Sequence, residues 1–230
     1  MSLGIAVSTG VESAAAASPP PFLLELVAGT GAASATVPGP ALSSPVGMPS
    51  DVAVDSQGNR YVVSYASGNC YVLKVSPDGT ISKFAGNGNC GSDIPGPATA
   101  SPLSRPISAA VDSHDNVYVV QDLTGRVVRI TPDGVLSDFA GNGSSSGAVV
   151  EGPALQTPLR PVGITVDRKN NVYLGVNSTG VDGGYIVRID TFGMLSILAG
   201  NGSTAVTPGP ARSSGLQRVY GMAFDSMGDL

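Results

Sequence analysis

The chain is 230 residues long, with 31 glycines, 18 prolines, no tryptophan and 13% charged residues, a composition that suits one large β domain rich in turns. Its net charge of −5 weighs against a nucleic-acid surface, whose footprint is a clustered basic face. One histidine and two cysteines exclude a metal centre of several imidazoles and a zinc site of the usual four ligands.

Residues 1–22 are low in complexity, with Ala14–Ala17 and Pro19–Pro21, and the first basic residue of the chain is Arg60. The positive n-region of a signal peptide is missing, and the apolar Leu3–Val7 is too short for an h-region. The segment therefore reads as a flexible tail, or an arbitrary start within a longer gene, ahead of a β region over 23–230. No run of ~18 apolar residues is present to span a membrane. Leu23–Val27 resembles an isolated outer strand. Three four-strand units follow, Pro49–Gly86, Pro106–Gly141 and Pro161–Gly200, and a fourth opens at Tyr220–Asp225.

Repetition is carried by three independent markers, and a fixed period of this size signals a repeat architecture. Phe84-Ala85-Gly86 returns as Phe139-Ala140-Gly141 and Leu198-Ala199-Gly200, with an earlier Val27-Ala28-Gly29. Pro38-Gly39-Pro40-Ala41 returns at Pro95 to Ala98, Glu151 to Ala154 and Pro208 to Ala211. A strand-ending aspartate recurs at Asp55, Asp112, Asp167 and Asp225; subtracting positions gives steps of 57, 55 and 58.

The central unit shows the strand signals most clearly. Val/Ile/Tyr-rich runs bounded by Gly, Asp, Asn and Pro announce strands, placing a at Ile107–Val111, b at Val117–Gln121, c at Arg126–Thr131 and d at Val135–Phe139. In strand a the positions Val52 and Val54 match Ala109 and Val111, Ile164 and Val166, and Met222 and Phe224, while the residue between them is small: Ala53, Ala110, Thr165, Ala223. Alternate residues face opposite sides of a sheet, so strand a has two uncharged faces. That environment belongs to the inner strand of a β-propeller, where four-stranded antiparallel blades stand around a channel.

The pattern Gly96-Pro97-Ala98-Thr99, Leu103, Pro106, Ala110-Val111-Asp112, Asn116-Val117-Tyr118, Arg129, Pro132-Asp133-Gly134 and Phe139-Ala140-Gly141 resembles the NHL repeat, from about Leu23 onward. The resemblance implies a propeller, commonly of six blades, used as a binding platform and in some relatives as a lyase or lactonase. Two features depart from it: long inter-blade loops, and Val63-Ser64-Tyr65 and Leu174-Gly175-Val176 where an Asp-rich segment often follows strand b. Three and a half blades do not readily close a ring, since propellers typically use 4–8. The expectation is a truncated propeller; the alternatives are a strained four-blade ring or closure by oligomerisation.

Each inter-blade connection runs about twenty residues, long enough to suggest function, and the loops are expected to crowd one rim of the disc. Cys70 precedes strand c and Cys90 follows strand d of the same unit, with no cysteine at these places elsewhere. They are expected to meet on the long-loop face as a disulfide, the alternative being two unrelated thiols; a disulfide implies an oxidising, extracytoplasmic or secreted setting. His114 reads as a solvated turn residue, and the repeated aspartates read as turn-holding groups. Arg105, Arg160 and Arg218 share one repeat position at the opening of strand a, with Met48 in the first unit. Three guanidiniums there could hold a carboxylate or phosphate bidentately, or each could cap its own loop or pair with an acid such as Glu151.

No catalytic residue and no cofactor is assigned, although the resemblance to lactonase-like propellers leaves a channel calcium ion open. No unrepeated pair of acids marks such a site. The function expected is a non-catalytic scaffold that binds a protein, carbohydrate or small anionic ligand on its long-loop face, with no nucleic acid and no membrane span. The alternative is a fragment of a propeller hydrolase or lyase.

Overall fold

A computed structural model describes residues 25–32, 38–66, 69–178 and 183–230; the expected tail, residues 1–22, lies outside them. The first sheet contains β1 (Gly39–Pro40), β2 (Pro49–Val54), β3 (Arg60–Ala66), β4 (Asn69–Val75) and β5 (Thr80–Ala85). The second contains β6 (Gly96–Pro97), β7 (Pro106–Val111), β8 (Val117–Gln121), β9 (Arg126–Ile130) and β10 (Val135–Ala140). The third contains β11 (Gly152–Pro153), β12 (Pro161–Val166), β13 (Val172–Asn177), β14 (Gly184–Ile189) and β15 (Met194–Ala199). Each is an antiparallel meander of four strands whose outermost member also pairs with the two-residue strand that precedes the unit. These are the blades of a β-propeller, and no α-helix occurs among the described residues.

Blades pack face to face through apolar side chains, the dominant favourable term in burying such surface. Tyr61, Val63 and Val72 of the first blade meet Ala109, Val117 and Val119 of the second. Ala110, Tyr118 and Val120 of the second meet Ile164, Val172 and Leu174 of the third. Ala109 and Ile164 are 6% and 8% exposed, whereas the matching Val52 of the first blade, against which no blade packs among the described residues, is 54% exposed. The two-faced burial of strand a thus requires a sister sheet on each side.

The carboxylates that end strand a hold the next turn. Asp55 accepts from the backbone N–H groups of Gln57 and Asn59, from Asn59 Nδ2 at 2.7 Å and from Tyr61 Oη at 3.0 Å. Asp112 and Asp167 repeat this pattern with Asn116 and Tyr118, and with Asn171 and Tyr173. Glycine is required at Gly141, where φ is +87° and an added Cβ would lie 2.0 Å from Gly125 O; the equivalent Gly86 and Gly200 meet Cys70 O and Gly184 O at 2.3 and 2.2 Å.

Two expectations are revised, and the long loops do more than line a rim. Gly96–Pro97 runs along the start of β10, Ala98 N donates to Gly134 O at 2.8 Å and Gly86 N donates to Ala98 O at 2.9 Å. Ala98, Leu103, Ala154 and Leu159 are buried, so much of each loop is mortar between blades. The strand expected at Leu23–Val27 is absent from its described part, Glu25–Val27, where no strand c pairs with it among the described residues; yet Gly29 N still donates to Ala41 O at 3.0 Å, as Gly86 does to Ala98. Tyr220–Asp225 likewise forms no ladder, for want of a strand b beside it. It nevertheless lies along the third blade, with Phe224 edge-on to Tyr173 at 4.9 Å.

Candidate ligand site at the mouth of the inner strands

The loop between blades returns to the inner strand at a fixed place, and the register there repeats. The residue opening strand a accepts, through its carbonyl, the backbone N–H of the residue at the end of strand b. Tyr65 N bonds Met48 O at 3.3 Å, Asp122 N bonds Arg105 O at 3.3 Å, and Asn177 N bonds Arg160 O at 2.9 Å. A β-bulge follows in each inner strand, between Pro49 and Asp51, Pro106 and Ser108, and Pro161 and Gly163. Bulges re-aim side chains, and here they follow Met48, Arg105 and Arg160.

Arg105, Arg160 and Arg218 all line one cavity of ≈ 670 Å³, with Asp51, Tyr65, Ser108, Asp122 and Asn177 among the polar and aromatic groups on its wall. Arg105 adopts φ 50°, an uncommon conformation for a non-glycine residue. Its guanidinium pairs with Asp122 Oδ2 at 2.8 Å and lies over the Tyr65 ring at 5.7 Å. Arg218 Nη1 donates to Tyr220 Oη at 3.4 Å. Arg160 makes no ion pair and no side-chain hydrogen bond among the described residues. The expected partner acid Glu151 binds Arg212 instead, at 2.7 Å.

Two acids on this wall escaped the sequence reading. Asp51 and Asp122 are unrepeated, since the other units carry Ser108, Gly163 and Gly221, and Tyr65 and Asn177, at those places. Only the pairing of strand ends brings them together. Asp51 Oδ2 accepts from Ser108 Oγ at 2.6 Å and Ala109 N at 2.9 Å, which ties the first blade to the second across the cavity wall. Both carboxylates are therefore engaged. No group of three or more His, Cys, Asp or Glu side chains suited to a metal ion occurs among the described residues.

Cys70 and Cys90 form a disulfide with Cα atoms 5.2 Å apart, joining the start of β4 to the loop beyond β5. His114 sits exposed in its turn, Nδ1 3.2 Å from Asn170 Nδ2 of the next blade, and does not reach the cavity. A second group outside the sequence reading is Asp93, in the loop before β6. Burial, and then the nearby carboxyl of Asp138, push its pKa up, against Gln121 Nε2, which donates to it at 2.9 Å.

No protein-family model matches the sequence, and no curated protein matches it. Among solved structures it is similar to a protein of unknown function from Bacteroides thetaiotaomicron, at 20% identity and a TM-score of 0.56, over 74% of this chain and 40% of that one. Lower similarity extends to virginiamycin B lyase from Staphylococcus aureus (19% identity, TM-score 0.42, 65% of this chain and 40% of that one). A gluconolactonase from Xanthomonas campestris stands at 16% identity and TM-score 0.45, over 66% and 47%. The chain spans well under two thirds of each. At these identities the likeness speaks to the fold and to nothing finer.

Proposed function

We propose that this chain is an NHL-type propeller segment that acts as a non-catalytic binding module, holding a small anionic ligand at the mouth of its inner strands. The observation that carries this reading is the convergence of Arg105, Arg160 and Arg218 on one cavity, whose ≈ 670 Å³ falls within the roughly 300–1,000 Å³ of small-molecule sites. Guanidinium forks match oxyanions in shape as well as charge. The disulfide supports an extracytoplasmic setting, and no helix of the described residues is long and apolar enough to cross a membrane. The test is calorimetric titration with propionate and with inorganic phosphate. Binding by the native chain and its loss in the Arg105→Met, Arg160→Met, Arg218→Met triple variant are expected. Equal affinity of the two proteins ends the reading.

A second reading, a propeller hydrolase or lyase, is favoured by one observation: the unrepeated Asp51 and Asp122 share the cavity with the arginines. Both side chains are already bonded to protein groups, so the binding reading is preferred. Turnover of a lactone panel that disappears in Asp122→Asn, with ligand binding retained, would reverse that order.

A further inference from the structure

The three arginines of the cavity differ in electrostatic standing. In the second blade the residue across from Arg105 is Asp122, and their side chains form an ion pair at 2.8 Å. In the third blade the corresponding residue across from Arg160 is Asn177, joined to it by the same backbone hydrogen bond but carrying no charge. One atom type at one repeat position thus neutralises the first guanidinium and leaves the second uncompensated. Across the whole wall, three arginines face two aspartates, one net positive charge in all.

Asn177 supplies an independent sign of a ligand. It is 6% exposed and lines the cavity, and its Oδ1 is buried with no hydrogen-bond partner among the described residues. A buried acceptor without a donor is costly, and native structures leave few of them without a reason. Its backbone N–H is bound to Arg160 O and its side chain lines the cavity, so a ligand held there is placed to supply the donor that Oδ1 lacks.

We infer that Arg160 and Asn177 form the recognition centre of this cavity and that its ligand is a hydroxycarboxylate monoanion, the carboxylate on the Arg160 fork and a hydroxyl donating to Asn177 Oδ1. The inference rests on the binding-module reading above and narrows it. A carboxylate offers two oxygens in one plane, which a guanidinium takes bidentately. A single negative charge matches the net charge of the wall, whereas a phosphate dianion would bring a second charge toward Asp51 and Asp122. Arg105, held by Asp122 and Tyr65, is wall and not anchor.

The experiment titrates the full chain with four probes: glycerate, propionate, glycerol and inorganic phosphate. Glycerate and propionate share a three-carbon carboxylate and differ in hydroxyls; glycerol has hydroxyls and no charge. Glycerate is expected to bind roughly tenfold more tightly than propionate, as one hydrogen bond to an otherwise unsatisfied buried group provides, with glycerol and phosphate weaker than either. Asn177→Asp, which gives Arg160 the neutralising partner that Arg105 has, should weaken glycerate at least about tenfold. Arg160→Met, at an exposed position, should do the same and guards against a folding defect in the buried variant. Equal affinity for glycerate and propionate, or glycerate binding indifferent to both variants, overturns the inference while leaving anion binding by the cavity intact. Failure of all four probes to bind overturns the binding-module reading along with it.

Discussion

Replacing Asp55 with alanine removes four hydrogen bonds at once, two from the backbone N–H groups of Gln57 and Asn59 and two from Asn59 Nδ2 and Tyr61 Oη. Their costs differ. Gln57 lies in an exposed turn, where water replaces the lost acceptor. Asn59 and Tyr61 are buried, so their donors are left without partners at about 1–3 kcal/mol each. With three such donors, Asn59 N, Asn59 Nδ2 and Tyr61 Oη, the expected loss is about 3–9 kcal/mol, a large part of the roughly 5–15 kcal/mol that holds a typical domain. Asp225 provides the internal control. It caps the same kind of turn, accepting from Met227 N and Asp229 N, but it is exposed and only backbone N–H groups bond it in those contacts. Urea unfolding followed by far-ultraviolet circular dichroism, with the midpoint and slope compared, should show a large shift for Asp55→Ala and no resolvable one for Asp225→Ala. Similar shifts for the two would refute the claim that buried Asn and Tyr donors make this aspartate structural.

Other perturbations test neighbouring parts of the account. Cys70→Ser with Cys90→Ser opens a loop of sequence separation 20, and loop-closure entropy puts the loss at about 3 kcal/mol; thermal melts with and without reductant should differ in the native chain and coincide in the variant. Gly141→Ala forces a left-handed φ and a clash with Gly125 O, at about 1–3 kcal/mol, read as a lowered urea midpoint. Asp55 and Asp167 have pKa values below the ordinary carboxylate range: burial pushes each up, but hydrogen bonds from Asn59 and Asn171, with the tyrosine and backbone donors, outweigh it. Their stabilisation is present above the unfolded value of about 3.9 and is lost as pH falls through the lower folded values, so stability should decline steeply below about pH 4. Asp93 runs the other way. Its raised pKa favours the folded state below the unfolded value and that contribution is lost as pH rises through the folded one. Asp93→Asn should therefore raise the urea midpoint at pH 7 and leave it unchanged near pH 3.

Much of this was legible in the residues because each long strand carries its own alternation and its own turn chemistry. The central unit's strands fall within a residue of the expected Ile107–Val111, Val117–Gln121, Arg126–Thr131 and Val135–Phe139, since Asp112 to Asn116 and Pro132 to Gly134 punctuate them. The two-residue strand Gly96–Pro97 was not legible: two residues have no period, and Pro in a sequence points to a turn or an edge. The shared position of the arginines was visible from repeat alignment alone. The distinction among them was not, because it depends on which residue ends strand b opposite each one, Asp122 or Asn177. That pairing crosses about seventeen residues of chain and is set by the bulge in strand a. Asp93 was hidden for a similar reason, as its partners Gln121 and Asp138 come from strands its loop meets only in three dimensions.

On the proposed recognition, the partner opposite each arginine decides which blade holds the anion. Exchanging the two partners, Asp122→Asn together with Asn177→Asp, tests it most directly, with glycerate affinity measured in that background before and after Arg105→Met and Arg160→Met. The exchanged chain is expected still to bind glycerate, now losing it with Arg105→Met and keeping it with Arg160→Met. Continued dependence on Arg160 in the exchanged chain would contradict it.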